Sequence, residues 1–185
     1  MNRRHVVRIA AGIAGALLVG LLVIFAMADP GERESADSPL LGRPAPEVIS
    51  TTIDDAPFNL SRRRGSWVVL NFFNSTCVPC RQEHPHLVDF AEAQATSDDP
   101  AELFTIVNDD NDAAVRAYFD ANGGSWPKVR DDDGAISVAF GIAKVPETWV
   151  VDPNGFVRLR IIGALTDGFL DRRVDELKTQ FAGEQ

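Results

Sequence analysis

The sequence predicts an α/β sandwich, a central mixed β-sheet with helices on both faces, and three features of the chain carry that expectation. Short apolar runs alternate with stretches of helical period. Two strands joined by a tight turn close the order near the C-terminus. A Cys-x-x-Cys pair stands where the first buried run gives way to a helix.

The first of these runs, SWVVLNFF (66–73), is apolar without alternation, as a central strand buried on both faces would be. Thr76-Cys77-Val78-Pro79 then opens a helix, since proline is tolerated in a first helical turn and polar residues cap it. LFTIV (103–107) reads as a second buried strand, and DAAVRAYFDA (112–121) as a helix ended by Gly123-Gly124. TWVVD (148–152), Pro-Asn-Gly and FVRLRII (156–162) form a hairpin, after which a last helix runs from about Asp167 to Phe181. No internal repeat or low-complexity tract interrupts this order.

Ahead of the domain, Ile9 to Ala28 is a run of twenty residues without a charge. At about 1.5 Å per residue it matches the roughly 30 Å apolar core of a bilayer. Arg3, Arg4 and Arg8 precede it and Asp29, Glu32 and Glu34 follow it. The positive-inside bias therefore makes 1–8 a cytoplasmic N-terminus, 9–28 a transmembrane signal anchor, and the rest extracytoplasmic. The alternative is a signal peptide cleaved after Ala26-Met27-Ala28, leaving a secreted protein; the run exceeds the usual h-region of about 7–15 residues. Residues 29–46 hold four prolines and no apolar period, and read as an extended tether off the membrane. The folded domain is expected over 47–183.

Fifteen of the 18 basic residues and all 27 acids lie beyond residue 28, a balance of −12. Nucleic acid is excluded as a partner, because phosphate binding needs a basic face. The chain's two cysteines, Cys77 and Cys80, bracket only two residues, too short a loop to staple a whole fold. Their spacing points to chemistry.

Only a thiolate attacks a disulfide, so a working cysteine needs something to hold its charge near neutral pH. A helix start supplies unpaired N–H groups and the positive end of the dipole. Cys77 at that start is the attacking thiol, and Cys80, one turn further in, resolves the mixed disulfide by closing a Cys77–Cys80 bridge. A zinc site built from Cys77, Cys80, His84 and His86 is the rival, but helical spacing spreads these four around the axis where tetrahedral ligation needs them convergent. An inert local disulfide is the other. No metal and no cofactor is called for.

Advancing each residue by about 100° puts Leu87, Ala91 and Phe90 on one face with Cys80. Glu83 falls within this apolar stripe, one turn from Cys80. A partly desolvated acid there has a raised pKa suited to proton exchange; the alternative is a solvated acid complementing the dipole. His84 is expected at the helix edge, His86 on the polar side, and Pro85 at a kink.

VVLNFFNSTCVPCRQEHP (68–85), DDDGAISVAFGIAKVPETWVVDPNGFVRLRIIGAL (131–165), the GRPAPE opening at 42–47 and the apolar N-terminus together resemble the thioredoxin-like thiol:disulfide oxidoreductases of cytochrome c maturation, the CcmG/DsbE, ResA and TlpA group. The resemblance runs from about Leu41 to Leu177. It implies a thioredoxin-like sandwich in which Cys77 is the exposed nucleophile, Cys80 its resolving partner and Pro146 a cis-proline facing the pair. The backbone of Val145 would then be free to pair with an extended substrate. Glu83 matches the group's acid three positions after the second cysteine. Asn71 stands where cytoplasmic thioredoxins carry a buried Asp, which leaves Glu83 as the acid nearest the pair. Glu147, in the Pro-Glu-Thr run, is expected to line the substrate groove or to be solvated.

Phe73-Asn74-Ser75-Thr76 departs from the group's aromatic run, having neither tryptophan of the common pattern. Asp131-Asp132-Asp133-Gly134 superficially suggests a calcium loop, but the later chelating Glu is missing, and a turn capping the next helix explains it. The implied activity is reduction of a disulfide-containing protein, apocytochrome c, with a transmembrane thiol donor restoring the enzyme. Disulfide insertion in the reverse direction and a redox-sensing binding module are the alternatives, and reduction potential and turnover separate them.

Overall fold

A computed structural model describes residues 12–21, 33–34 and 38–183, in two units split at Gly31. In the first unit residues 12–21 form a helix, α1. It is about 15 Å long at 1.5 Å per residue. Among the described residues no helix is long and apolar enough to cross a membrane, and both ends of the expected 9–28 span lie outside them.

In the second unit six strands form one sheet: β1 (Arg33–Glu34), β4 (Trp67–Phe73), β5 (Ala101–Val107), β6 (Lys128–Arg130), β7 (Glu147–Val151) and β8 (Val157–Ile162). Their spatial order is β1-β8-β7-β4-β5-β6. β4 pairs in parallel with β5, and β5 with β6; β7 runs antiparallel to both β4 and β8. This is the mixed sheet with a closing hairpin that the sequence predicts. A separate hairpin of β2 (Ile49–Thr51) and β3 (Pro57–Asn59) precedes a 3-10 turn, Leu60–Arg63.

Four helices cover the sheet: α2 (Val78–Ala95), α3 (Asp112–Asn122), α4 (Ala135–Phe140) and α5 (Phe169–Gly183). Every residue of β4 is buried. Side chains alternate across a strand, so Trp67, Val69 and Phe73 enter one core with Leu87 and Phe90 of α2, Phe119 of α3 and Val174 of α5. Val68, Leu70 and Phe72 enter the other, with Phe140 of α4 and Phe58 of β3. Helices therefore lie on both faces. α2 continues through Pro85 for ten further residues.

The expected tether needs correction over 38–46. The Gly42 N–H donates to the Val157 carbonyl at 2.8 Å, Val157 N–H to Arg43 at 2.9 Å and Ala45 N–H to Gly155 at 2.9 Å. Leu40, Leu41 and Ala45 pack on the α4-side core. β1 pairs with Ile161 and Ile162 of β8. A proline-rich segment without apolar period still docks when the strand beside it has open hydrogen-bonding groups to satisfy.

The acidic turn at 131–134 caps α4. Asp131 accepts from the N–H groups of Ile136 and Ser137 at 2.8 and 2.9 Å, and Asp133 from Ala135 at 3.0 Å. Those carboxylates hold helix N–H groups, as the sequence predicts.

Candidate active site

Where β4 ends, the chain turns through Asn74-Ser75-Thr76 into α2, and Cys77 takes the N-cap position with extended backbone. Its Sγ accepts from the Cys80 N–H at 3.2 Å. That is the helix-start environment that favours a thiolate once the bridge is open. Cys77 and Cys80 form a disulfide, with Cα atoms 5.3 Å apart. Cys80 is 0% exposed, while Cys77 reaches the surface. The asymmetry matches an outer and an inner sulfur.

Facing them is a loop turned by a cis bond between Val145 and Pro146. The Val145 carbonyl oxygen lies 3.7 Å from Cys77 Sγ. The site therefore places a sulfur beside main chain, as capture of an extended peptide requires.

The turn before Cys77 has a support that the sequence reading missed. Asn74 Oδ1 accepts from Thr76 N–H at 2.8 Å, and Asn74 Nδ2 donates to the carbonyls of Asn108 and Asp109 at 3.0 and 2.7 Å. Ser75 N–H donates to Asp110 at 2.6 Å. Polar clamps from the β5–α3 loop hold the turn that lacks tryptophan. The signal was the Asn-Asp-Asp-Asn run at 108–111, directly after a buried strand.

Glu83 is 0% exposed on α2. One carboxylate oxygen accepts from Asn71 Nδ2 at 2.7 Å and the other from the Leu165 N–H at 2.9 Å. Burial raises its pKa to about 7, against the lowering effect of those two bonds. The apolar-stripe reading is the one the structure adopts. Asn71 also donates to Thr148 Oγ1 at 3.1 Å, its register partner on β7.

Two expectations are corrected. Glu147 is 1% exposed, and Arg160 clasps its carboxylate with contacts of 2.9 and 3.2 Å, so it neither lines the groove nor faces water. Strand alternation places Glu147 with Trp149 and Val151, on the sheet face away from α2. His84 is 2% exposed, packed between Tyr118, Phe119 and Trp126, with Nε2 against the Gly123 carbonyl at 3.1 Å. It is a core residue, because α3 covers the flank of α2 that a lone helix leaves at the edge. The sulfurs bond to each other and His84 turns into the aromatic cluster, so those three do not join His86 around an ion.

Over residues 41–160 the sequence matches the AhpC/TSA family. The chain belongs to that family. It is 31% identical over 152 residues to the thiol:disulfide interchange protein HelX of Rhodobacter capsulatus, covering 80% of this chain and 81% of that one. It is 29% identical over 140 residues to the thiol:disulfide interchange protein DsbE of Pseudomonas aeruginosa, covering 74% and 73%. The crystal structure of a thioredoxin-family thiol:disulfide interchange protein from Chlorobium tepidum superposes with a TM-score of 0.65 at 26% identity, over 76% of this chain and 98% of that one. This AhpC/TSA chain is thus a thioredoxin-like thiol:disulfide oxidoreductase with a Cys77–Cys80 redox disulfide.

Proposed function

We propose that this oxidoreductase is held on the outer face of a membrane by residues 9–28 and reduces the haem-attachment disulfide of apocytochrome c. The observation that carries the direction is Glu83, buried behind the pair with a pKa near neutrality. In the reduced enzyme the Cys77 thiolate attacks one sulfur of the substrate disulfide, and the other leaves as a thiolate that takes a proton. The mixed disulfide places the substrate chain beside the Val145 carbonyl and Pro146. Cys80 then attacks Cys77 Sγ, which closes the bridge and releases the second substrate thiol. Glu83 accepts the Cys80 proton in that step and returns it on re-reduction by a transmembrane thiol donor.

Ionised Glu83 near the pair disfavours thiolate, so the reduced form gains little stabilisation and the couple is reducing. Support for the substrate comes from the resemblance of residues 68–85 and 131–165 to the cytochrome c maturation group, and from chemistry. An oxidising compartment closes Cys-x-x-Cys-His pairs that must be thiols before haem attaches.

The test is a strain lacking this chain, scored for covalent c-type cytochrome and for membrane fractionation of the restored protein. Wild type restores cytochrome, Cys77→Ser does not, and added small-molecule reductant bypasses the defect. Restoration by Cys77→Ser, or recovery of the protein as a soluble chain beginning at Asp29, overturns the corresponding half of the proposal.

A further inference from the structure

We propose that His86, Asp89 and Asp167 form a site for a divalent cation of the zinc class, on the seam between α2 and the segment leading into α5. His86 and Asp89 stand three residues apart on α2 and so share a face. Asp167 comes from the β8–α5 connection, and one ligand-capable atom of each of the three lies within 4.8 Å of the others. His86 Nδ1 is shut off from solvent and has no hydrogen-bond partner among the described residues. The guanidinium closest in sequence, Arg172, donates to the main-chain carbonyl of Asp167 at 3.3 Å.

Burial first, and then the charges of Asp175 and Asp89, push the Asp171 carboxyl up. Carboxylates from two helices thus crowd one seam, and a cation between them relieves that repulsion.

The donor set selects the ion. One imidazole nitrogen and two carboxylate oxygens suit Zn2+, which binds such atoms at about 2.0–2.2 Å and keeps a fourth position for water in three-ligand sites. Mg2+ and Ca2+ favour all-oxygen sets, and Cu(I) favours sulfur. Asp89 and Asp167 are exposed, so side-chain rotation alone can close the remaining distance. The position also bears on the redox pair, since Asp167 lies two residues beyond Leu165, whose N–H holds Glu83. A bound ion ties that segment to α2.

The experiment uses the untagged full chain in detergent, with Cys77–Cys80 closed so that no thiol competes, stripped by chelator and titrated with Zn2+ alone by calorimetry. The expected result is one saturable Zn2+ per chain, not displaced by a hundredfold excess of Mg2+. His86→Asn and Asp167→Asn each weaken it at least tenfold, while Asp98→Asn leaves it unchanged; thermal melting of each metal-free variant checks its fold. Absence of saturable uptake overturns the proposal. So does uptake unchanged in both His86→Asn and Asp167→Asn, which puts the ion elsewhere, His5 included.

Discussion

Asn71 Nδ2 donates to Glu83 at 2.7 Å, and the same amide's Oδ1 is buried with no partner among the described residues. An amide turned over at this position would offer Oδ1 to a protonated Glu83. The pair therefore suits either charge state of the acid, which a proton carrier beside a dithiol requires.

The raised Glu83 pKa sets a direction for stability against pH. The folded protein holds this proton more tightly than the unfolded chain, whose carboxyl titrates at 4.5. Stability is thus full below pH 4.5 and is lost as pH rises toward about 7, by up to about 3 kcal/mol. Denaturant unfolding of the oxidised protein at pH 5 and pH 8 should show wild type losing more stability over that interval than Glu83→Gln. Equal losses in the two proteins would mean that Glu83 titrates as a solvated acid.

Cys80→Ser is expected to accumulate mixed disulfides through Cys77, because the surface sulfur still attacks while the buried resolving sulfur is gone. Non-reducing electrophoresis with a disulfide-bonded peptide reads this directly. Capture by Cys77→Ser through Cys80 instead would reverse the assigned roles.

Glu147 belongs to stability rather than to substrate recognition. Removing one member of a buried ion pair strands the other, so Glu147→Gln or Arg160→Met should each cost about 3–5 kcal/mol. The double variant should recover part of that loss. A Glu147→Gln protein of native stability but raised KM for a peptide disulfide would return Glu147 to the groove.

What the sequence made legible was local. An unbroken apolar run, a proline in a helical first turn and a 100° rotation per residue suffice to place β4, the N-cap cysteine and Glu83's inward face. Glu147 depended on the β7–β8 register, which pairs Trp149 with Arg160 and so brings Arg160 diagonally onto Glu147. His84 depended on α3 lying across α2, and the docking of 38–46 on open hydrogen-bonding groups of the β7–β8 hairpin. Each of these is a contact between distant segments, which periodicity within one segment does not contain.

A reducing couple kept so by a buried acid shows itself in the reduction potential of Cys77–Cys80 at pH 7, measured in wild type and Glu83→Gln against a thiol redox buffer. The wild-type value is expected near the roughly −270 mV of a thioredoxin couple, and that of Glu83→Gln to be less negative, because the charge opposing thiolate is gone. A wild-type value near −120 mV, about that of a dedicated disulfide donor, would contradict it.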